Sequence, residues 1–312
     1  MKKILSIIIA VLMLGCVFNV YTFAGEEDAA AEEIAAESEG EESGGESSGE
    51  SSGDSAEESV DPEYEAALQA AIDDPDHLTI YLTRHGRTIF NEIGRAQGWA
   101  DSPLTEEGEE KSFALGVGFA SMGITFSKVY TSDLGRQRAT AKLALLGMGY
   151  GEDEIRIKEL TNFREVGYGK FDGGYDSEMY GAAAEYYGLE DQMALFDEKG
   201  LDGIFDALVA LDAGETGAAE TAEQVGARME EGLRIVVEDL KECGGDSAFV
   251  VSSGSAINLT VQRLGGTLRG GMGNCSVTKI IYSNGNFYFE SVHDPSYVEA
   301  GEAVLAAEAE AK

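Results

Sequence analysis

The sequence predicts an α/β protein: a three-layer sandwich whose mainly parallel central sheet carries helices on both faces, with a helical insert. Two observations point there. From Ala66 onward, short β-rich runs alternate with longer helical patterns, and strands interleaved with helices build a mainly parallel sheet. Of the 312 residues 43% are apolar, with 13 Tyr and 13 Phe, which is enough material for one sizeable core.

Taken in order, residues 1–24 read as an export signal, with basic Lys2 and Lys3, an apolar run from Ile4 to Phe18, and small residues around Ala24 where a peptidase can cut. Two other readings stay open: acylation at Cys16 after Gly15, and a retained anchor, since Ile4 to Ala24 is long enough to span a bilayer. Each places the remainder outside the cytoplasm, secreted or at the cell surface, and the N-terminus is the only expected membrane contact. Residues 25–65 are an acidic Glu/Ser/Gly-rich linker with fourteen acids and no base between Gly25 and Val60. Such a segment cannot bury enough apolar area to offset chain entropy, so a disordered tether is expected.

Residues 66–300 are read as the folded domain. Leu78 to Thr83 is the first strand, Leu104 to Phe119 a helix with Thr105 as N-cap, and Ser127 to Thr131 the second strand. Leu134 to Leu146 is helical, and Ile155 to Ile157 reads as a short strand. Tyr175 to Leu211, rich in Ala, Tyr, Glu and Leu, is the helical insert and a candidate substrate lid. Thr221 to Leu240 is a long helix, Ala248 to Ser252 a buried strand, and Ala256 to Leu264 a helix. Val277 to Tyr282 and Phe287 to Val292 form a hairpin turned by Asn284-Gly285. Residues 301–312 are an Ala/Glu-rich tail.

The charge balance, 22 Lys+Arg against 58 Asp+Glu for a net −36, excludes a nucleic-acid partner, because phosphate backbones are held by clustered cations. Cys243 and Cys275 each precede an expected strand; an exported protein can pair them, and two buried thiols fit equally well.

In an open α/β sheet, ligands sit beyond the carboxyl ends of strands. The first strand runs straight into Arg84-His85-Gly86-Arg87-Thr88-Ile89-Phe90-Asn91. An imidazole flanked by a guanidinium, then a Gly that allows close backbone approach, suits a phosphoryl-accepting nucleophile: the ring attacks phosphorus while the cation neutralises its oxygens. Alone, the tripeptide is a weak signal, since a strand-end histidine is more often structural or a metal ligand.

Context separates these readings. The runs RHGRTIFN, GRAQGWADSPLTEEG, YTSDLGRQRATA and NFREVGYGKFDG, in that order, resemble the histidine phosphatase superfamily, the phosphoglycerate mutase-like fold, over about Leu78 to Glu299. The resemblance implies that His85 is the nucleophile that becomes phosphohistidine, and that Arg84 and Arg136 clamp the phosphoryl group. It implies also that Asn91 adds a neutral donor and Glu165 gives the leaving oxygen its proton. Elementary chemistry agrees, since a carboxyl group whose pKa burial raises can protonate an alkoxide, and Arg136 at a helix start reinforces the positive end of that helix. The bland alternatives are an Arg136–Glu165 ion pair and an Asn91 that merely caps a helix.

The last motif departs from the family pattern. Strand Phe249-Val250-Val251-Ser252 leads into Ser253-Gly254, where the family typically has a histidine before the glycine. His77 lies at the far end of the first strand, roughly 26 Å from His85 at about 3.3 Å per residue, and cannot substitute. His293 follows the last strand and is the other candidate. Ser253 still offers a hydroxyl to phosphate, and losing one donor to a developing charge costs about 3 kcal/mol, or roughly a hundredfold in rate.

A phosphoglycerate mutase carries basic residues beyond its Glu motif, whereas Asp172-Gly173-Gly174-Tyr175-Asp176-Ser177-Glu178 is acidic here. The expectation is therefore an exported phosphomonoesterase, metal-independent and without cofactor, slow because of Ser253, acting on a small-molecule phosphomonoester. The alternative is a surface protein that binds phosphorylated ligands without turnover. Lys170, Arg95 and Gln97 are candidate polar substrate contacts; Tyr180, Tyr186 and Tyr187 either line a pocket or pack the insert.

Overall fold

A computed structural model describes residues 61–268 and 272–311. The expected export signal, Cys16 and nearly all of the acidic linker lie outside the described residues. Within the unit from Glu58 onward, six strands form one sheet in the order β3-β2-β4-β1-β5-β6. They are β1 (Leu78–Arg84), β2 (Lys128–Thr131), β3 (Lys158–Glu159), β4 (Ser247–Ser252), β5 (Val277–Ser283) and β6 (Asn286–Asp294). β1, β2, β3 and β4 pair in parallel, while β5 runs antiparallel to both β1 and β6. The sheet is mainly parallel, as the alternation of elements requires.

Period-two alternation feeds two cores from the same strands. Ile80, Leu82, Ala248 and Val250 point to one, with Phe163 from the turn after β3 and Met179, Leu208, Val225, Leu233 and Ile257 from the insert, the long helix and the helix after β4. Tyr81, Phe249 and Val251 point to the other, with Leu115, Phe119, Leu145 and Tyr297. Nearly continuous burial along β1 and β4 follows from this two-sided packing.

The helices are α1 (Pro62–Ile72), α2 (Ile89–Glu92), α3 (Glu106–Ser121), α4 (Gly135–Gly147), α5 (Asp176–Tyr187), α6 (Gln192–Asp212), α7 (Ala222–Cys243), α8 (Gly254–Arg263) and α9 (Ser296–Glu310). Thr105 caps α3 by accepting from Gly108 N, as expected. Thr221 and Gln224 close a reciprocal capping box on α7. The insert is two helices, and α6 kinks at Gly200, whose φ of 60° and ψ of −168° leave helical space.

Three elements differ from expectation. The short strand is Lys158–Glu159, not Ile155 to Ile157, because its register is set by pairing with Tyr130 and Thr131; Ile155 and Ile157 pack beside the second core. The boundary drawn at residue 66 falls inside α1, which Asp61 caps, Pro62 starts, and Tyr64 ties to the sheet by accepting from Phe289 N at 2.7 Å. The boundary drawn at 300 falls inside α9, so residues 301–310 are the continuation of a packed helix. Its approach is by glycine: a β-carbon on Gly301 would overlap the Ala114 carbonyl, and one on Gly118 the Tyr297 carbonyl. Cys243 is exposed and Cys275 buried, and both are free thiols.

Candidate active site

His85 directly follows β1, with its backbone held on three sides. Its N–H donates to Ser252 O at 3.0 Å, its carbonyl accepts from Asn274 Nδ2 at 2.9 Å, and the next amide, Gly86 N, donates to Thr140 Oγ1 at 2.9 Å. Gly86 is obligatory, since a β-carbon there would meet Ser112 Oγ and the Gly108 carbonyl. The ring Nδ1 lies 2.8 Å from Gly86 O, an acceptor only, so Nδ1 carries the proton and Nε2 keeps its lone pair. Burial, then the Arg136 and Arg84 charges, hold this imidazole well below its ordinary pKa, against the Gly86 bond. It is an uncharged nucleophile in a positive setting.

Arg84 and His85 line a cavity of about 300 Å³ with Asn91, Gln97 and Glu165. Arg84 donates through Nη1 to Met272 O at 2.5 Å, while its buried Nε has no partner, an orphan donor that an anion would satisfy. Asn91 caps a helix, its Oδ1 accepting from Thr88 N at 3.2 Å to close a capping box, and it also lines the cavity.

Glu165 also lines the cavity, in an unexpected grip. Its Oε1 accepts from Val166 N at 2.9 Å and Ala256 N at 2.8 Å, and its Oε2 from Ser255 N at 3.0 Å. The carboxylate therefore caps α8 from outside, a duty Ser253 at the N-cap does not perform. The backbone around Glu165 is pinned by Arg228 of α7, which donates to the carbonyls of Asn162 (2.8 Å), Arg164 (2.7 Å) and Glu165 (2.9 Å). Nothing in the local sequence marked Arg228, 63 residues from Glu165.

Arg136 and Ser253 are placed differently from the expected phosphate ligands. Both are 0% exposed and neither lines the cavity. Arg136 donates to the carbonyls of Gln97, Gly98 and Ala100 and to Asp101 Oδ1, all within 3.1 Å, which fixes the loop over the site. It does not pair with Glu165; its ion pair is with Asp101. Its Nη1 and Nη2 are taken, but its buried Nε, like that of Arg84, has no partner, and its charge acts on His85 ahead of that of Arg84. Ser253 Oγ accepts from Gln137 Nε2 at 2.7 Å and from Arg136 Nη2 at 3.5 Å. Gln137 in turn accepts from Ser132 Oγ. Gln137 was missed because its partner lies 116 residues away.

His77 bonds Asp74 O beyond the far end of β1, and His293 ends β6 outside the cavity lining, so His85 is the cavity's one imidazole among the described residues. Of the candidate substrate contacts Arg95, Gln97 and Tyr180 line the cavity; Tyr187 packs the insert through Gly203 O, and Lys170 and Tyr186 stand outside. Among the described residues no group of three His, Cys, Asp or Glu converges as a metal site, and no helix is long and apolar enough to cross a membrane.

This sheet order, with an imidazole and a guanidinium at the end of its central strand, defines the phosphoglycerate mutase-like α/β proteins. The chain belongs to the histidine phosphatase superfamily (branch 1), whose profile matches residues 80–295. A probable phosphoglycerate mutase of Erwinia tasmaniensis is 47% identical over 66 residues, 21% of this chain and 30% of that protein. One of Cronobacter sakazakii is 43% identical over 86 residues, 27% of this chain and 38% of that protein, so the chain spans well under half the length of these relatives. The crystal structure of phosphoglycerate mutase from Bacillus anthracis superposes with TM-score 0.67 at 34% identity, over 72% of this chain and 97% of its own. Bacillus stearothermophilus YhfR gives 0.55 at 26%, over 71% and 99%.

Proposed function

We propose that this protein is an exported phosphomonoesterase that works through a phosphohistidine on His85. The observation that carries the reading is the His85 ring: neutral, with Nδ1–H directed to Gly86 O and Nε2 left for attack beside the unpartnered Nε of Arg84. In the first step Nε2 bonds to phosphorus, the P–O bond to the alcohol breaks, and Glu165 gives the leaving oxygen a proton. In the second, Glu165 takes a proton from water as its oxygen attacks phosphorus, the N–P bond breaks, and inorganic phosphate leaves.

Hydrolysis is favoured over mutase chemistry by the segment after Glu165. Asp172 spends its carboxylate on the amides of Gly98, Ala100 and Tyr168, and Asp176 turns an acid toward the cavity. One observation favours the second reading, binding without turnover: Ser253 is sealed against Gln137 and brings no imidazole to the phosphate.

The deciding experiment is phosphate release by the mature protein in EDTA, with acid quench to trap an acid-labile phosphoenzyme that His85→Ala abolishes. Activity that survives His85→Ala or needs added metal overturns the mechanism. Export rests on the sequence of residues 1–24; intact mass showing a mature start near Gly25 supports it, a lipidated Cys16 replaces cleavage by a lipid anchor, and an intact Met1 overturns cleavage.

A further inference from the structure

Two acceptors of the cavity wall have no protein donor among the described residues, one on half-buried Asp176 and one a buried oxygen of Asn258. Asp176, the first residue of α5, lines the cavity, and its carboxylate makes no hydrogen bond or ion pair among the described residues. Asn258 of α8 lines the same cavity with its Oδ1 buried and unpartnered. Arg95, also in the lining, does not answer them: its Nη1 donates to Gly173 O at 2.5 Å and its guanidinium lies 4.8 Å from the centre of the Tyr175 ring.

Asp176 stands in the first turn of α5, where an acid also faces the positive end of the helix, and burial pushes its carboxyl above its ordinary value. Nearby Tyr180 stays a neutral phenol, pushed up to about 12 by burial first and then by the Asp176 charge. The cavity thus has two characters, the Arg84 cation beside His85 and a pair of acceptors in the wall, within about 300 Å³. A group with several N–H donors and a positive charge satisfies both acceptors together; a single hydroxyl satisfies one.

We infer that the substrate is a small phosphomonoester bearing a primary ammonium group, with phosphate at Arg84 and His85 and the ammonium shared by Asp176 and Asn258. This rests on the phosphatase reading of the same cavity and narrows it. The experiment compares O-phosphoethanolamine and O-phosphoserine with glycerol 3-phosphate and 3-phosphoglycerate, using p-nitrophenyl phosphate as the generic ester. The amine-bearing esters should exceed the others at least tenfold in kcat/KM, and Asp176→Asn should collapse that ratio mainly through KM. Asn258→Asp should enlarge the ratio, because a second carboxylate attracts a cation, whereas a purely structural Asn258 would leave it unmoved. Turnover of p-nitrophenyl phosphate with no amine preference overturns this inference and spares the phosphatase. If no ester is turned over, calorimetric binding to the full chain decides: O-phosphoethanolamine bound at least tenfold more tightly than glycerol 3-phosphate, with the difference lost in Asp176→Asn, supports the inference, and equal or undetectable binding overturns it.

Discussion

Gln137 donates its Nε2 hydrogen to Ser253 Oγ at 2.7 Å, and both residues are fully buried. Because Ser253 is 0% exposed, added ring atoms meet Gln137 rather than open space. Ser253→His alone should therefore lose about 1–3 kcal/mol of stability by overpacking and leave the rate on p-nitrophenyl phosphate unimproved. The double variant Ser253→His, Gln137→Ala frees the space and should raise the rate roughly a hundredfold, the worth of about one donor to developing charge. Thermal melts and initial rates on the set of variants measure both; a rate rise in the single variant would show that Gln137 yields its place.

The pH profile should report His85. Its folded pKa is depressed, so the nucleophile stays neutral through ordinary imidazole titration, and kcat/KM should hold as pH falls through 6.5 and drop only well below it. Stability has the same sign: the unfolded chain binds the proton more readily, so the contribution is full above about 6.5 and declines as pH falls below it. An acid limb in kcat/KM centred near 6.5 that His85 controls would contradict this placement.

Asp212, at the end of α6, organises the next loop by accepting from Thr216 Oγ1 and from the amides of Lys170, Thr216, Ala218 and Ala219. Burial raises its pKa, but the Thr216 hydroxyl and these amides outweigh it and bring the carboxyl down to about 2. A depressed acid contributes stability that is present above about pH 4 and lost as pH falls through 2. Asp212→Asn should cost about 2 kcal/mol at neutral pH through weakened charge-assisted bonds, and should flatten the acid limb of a denaturant-melt series between pH 4 and 2.

The α3–α9 crossing should be intolerant of a single methyl. Gly118→Ala and Gly301→Ala each drive a β-carbon into a backbone carbonyl of the facing helix, and backbone cannot swing away as a side chain can. Each should lower stability by about 1–3 kcal/mol, whereas Gly123→Ala, whose β-carbon meets nothing within 4 Å, should suffer only from its φ of 72°. Chemical denaturation midpoints test the difference; equal, small losses at all three would mean the helices slide apart freely.

What was legible in the sequence was whatever is written contiguously. β1 and β4 announced themselves because both faces are buried, and Arg84-His85-Gly86 because strand end and chemistry adjoin. The hairpin followed from Asn284-Gly285, both at positive φ in the structure. The start of α1 was readable as Asp61 before Pro62 but was absorbed into the acidic composition around it. β3 was misplaced because two residues have no period of their own, and only Tyr130 and Thr131 define them. The fates of Arg136 and Ser253 were not local properties: the first is settled by carbonyls of residues 97–100, the second by Gln137.

The grip on Glu165 bears on how its role can be established. Its two oxygens hold the amides of Val166, Ser255 and Ala256, so the residue nominated to move a proton is also the stitch that starts α8. Glu165→Gln sets an NH₂ group against at least one of those N–H donors and loosens the helix start as it removes the acid. A dead Glu165 variant would thus confound lost chemistry with a frayed pocket. The residue to alter when trapping a bound ester is His85, whose ring makes one bond, to its neighbour's carbonyl, and whose removal leaves the amides around Glu165 in place.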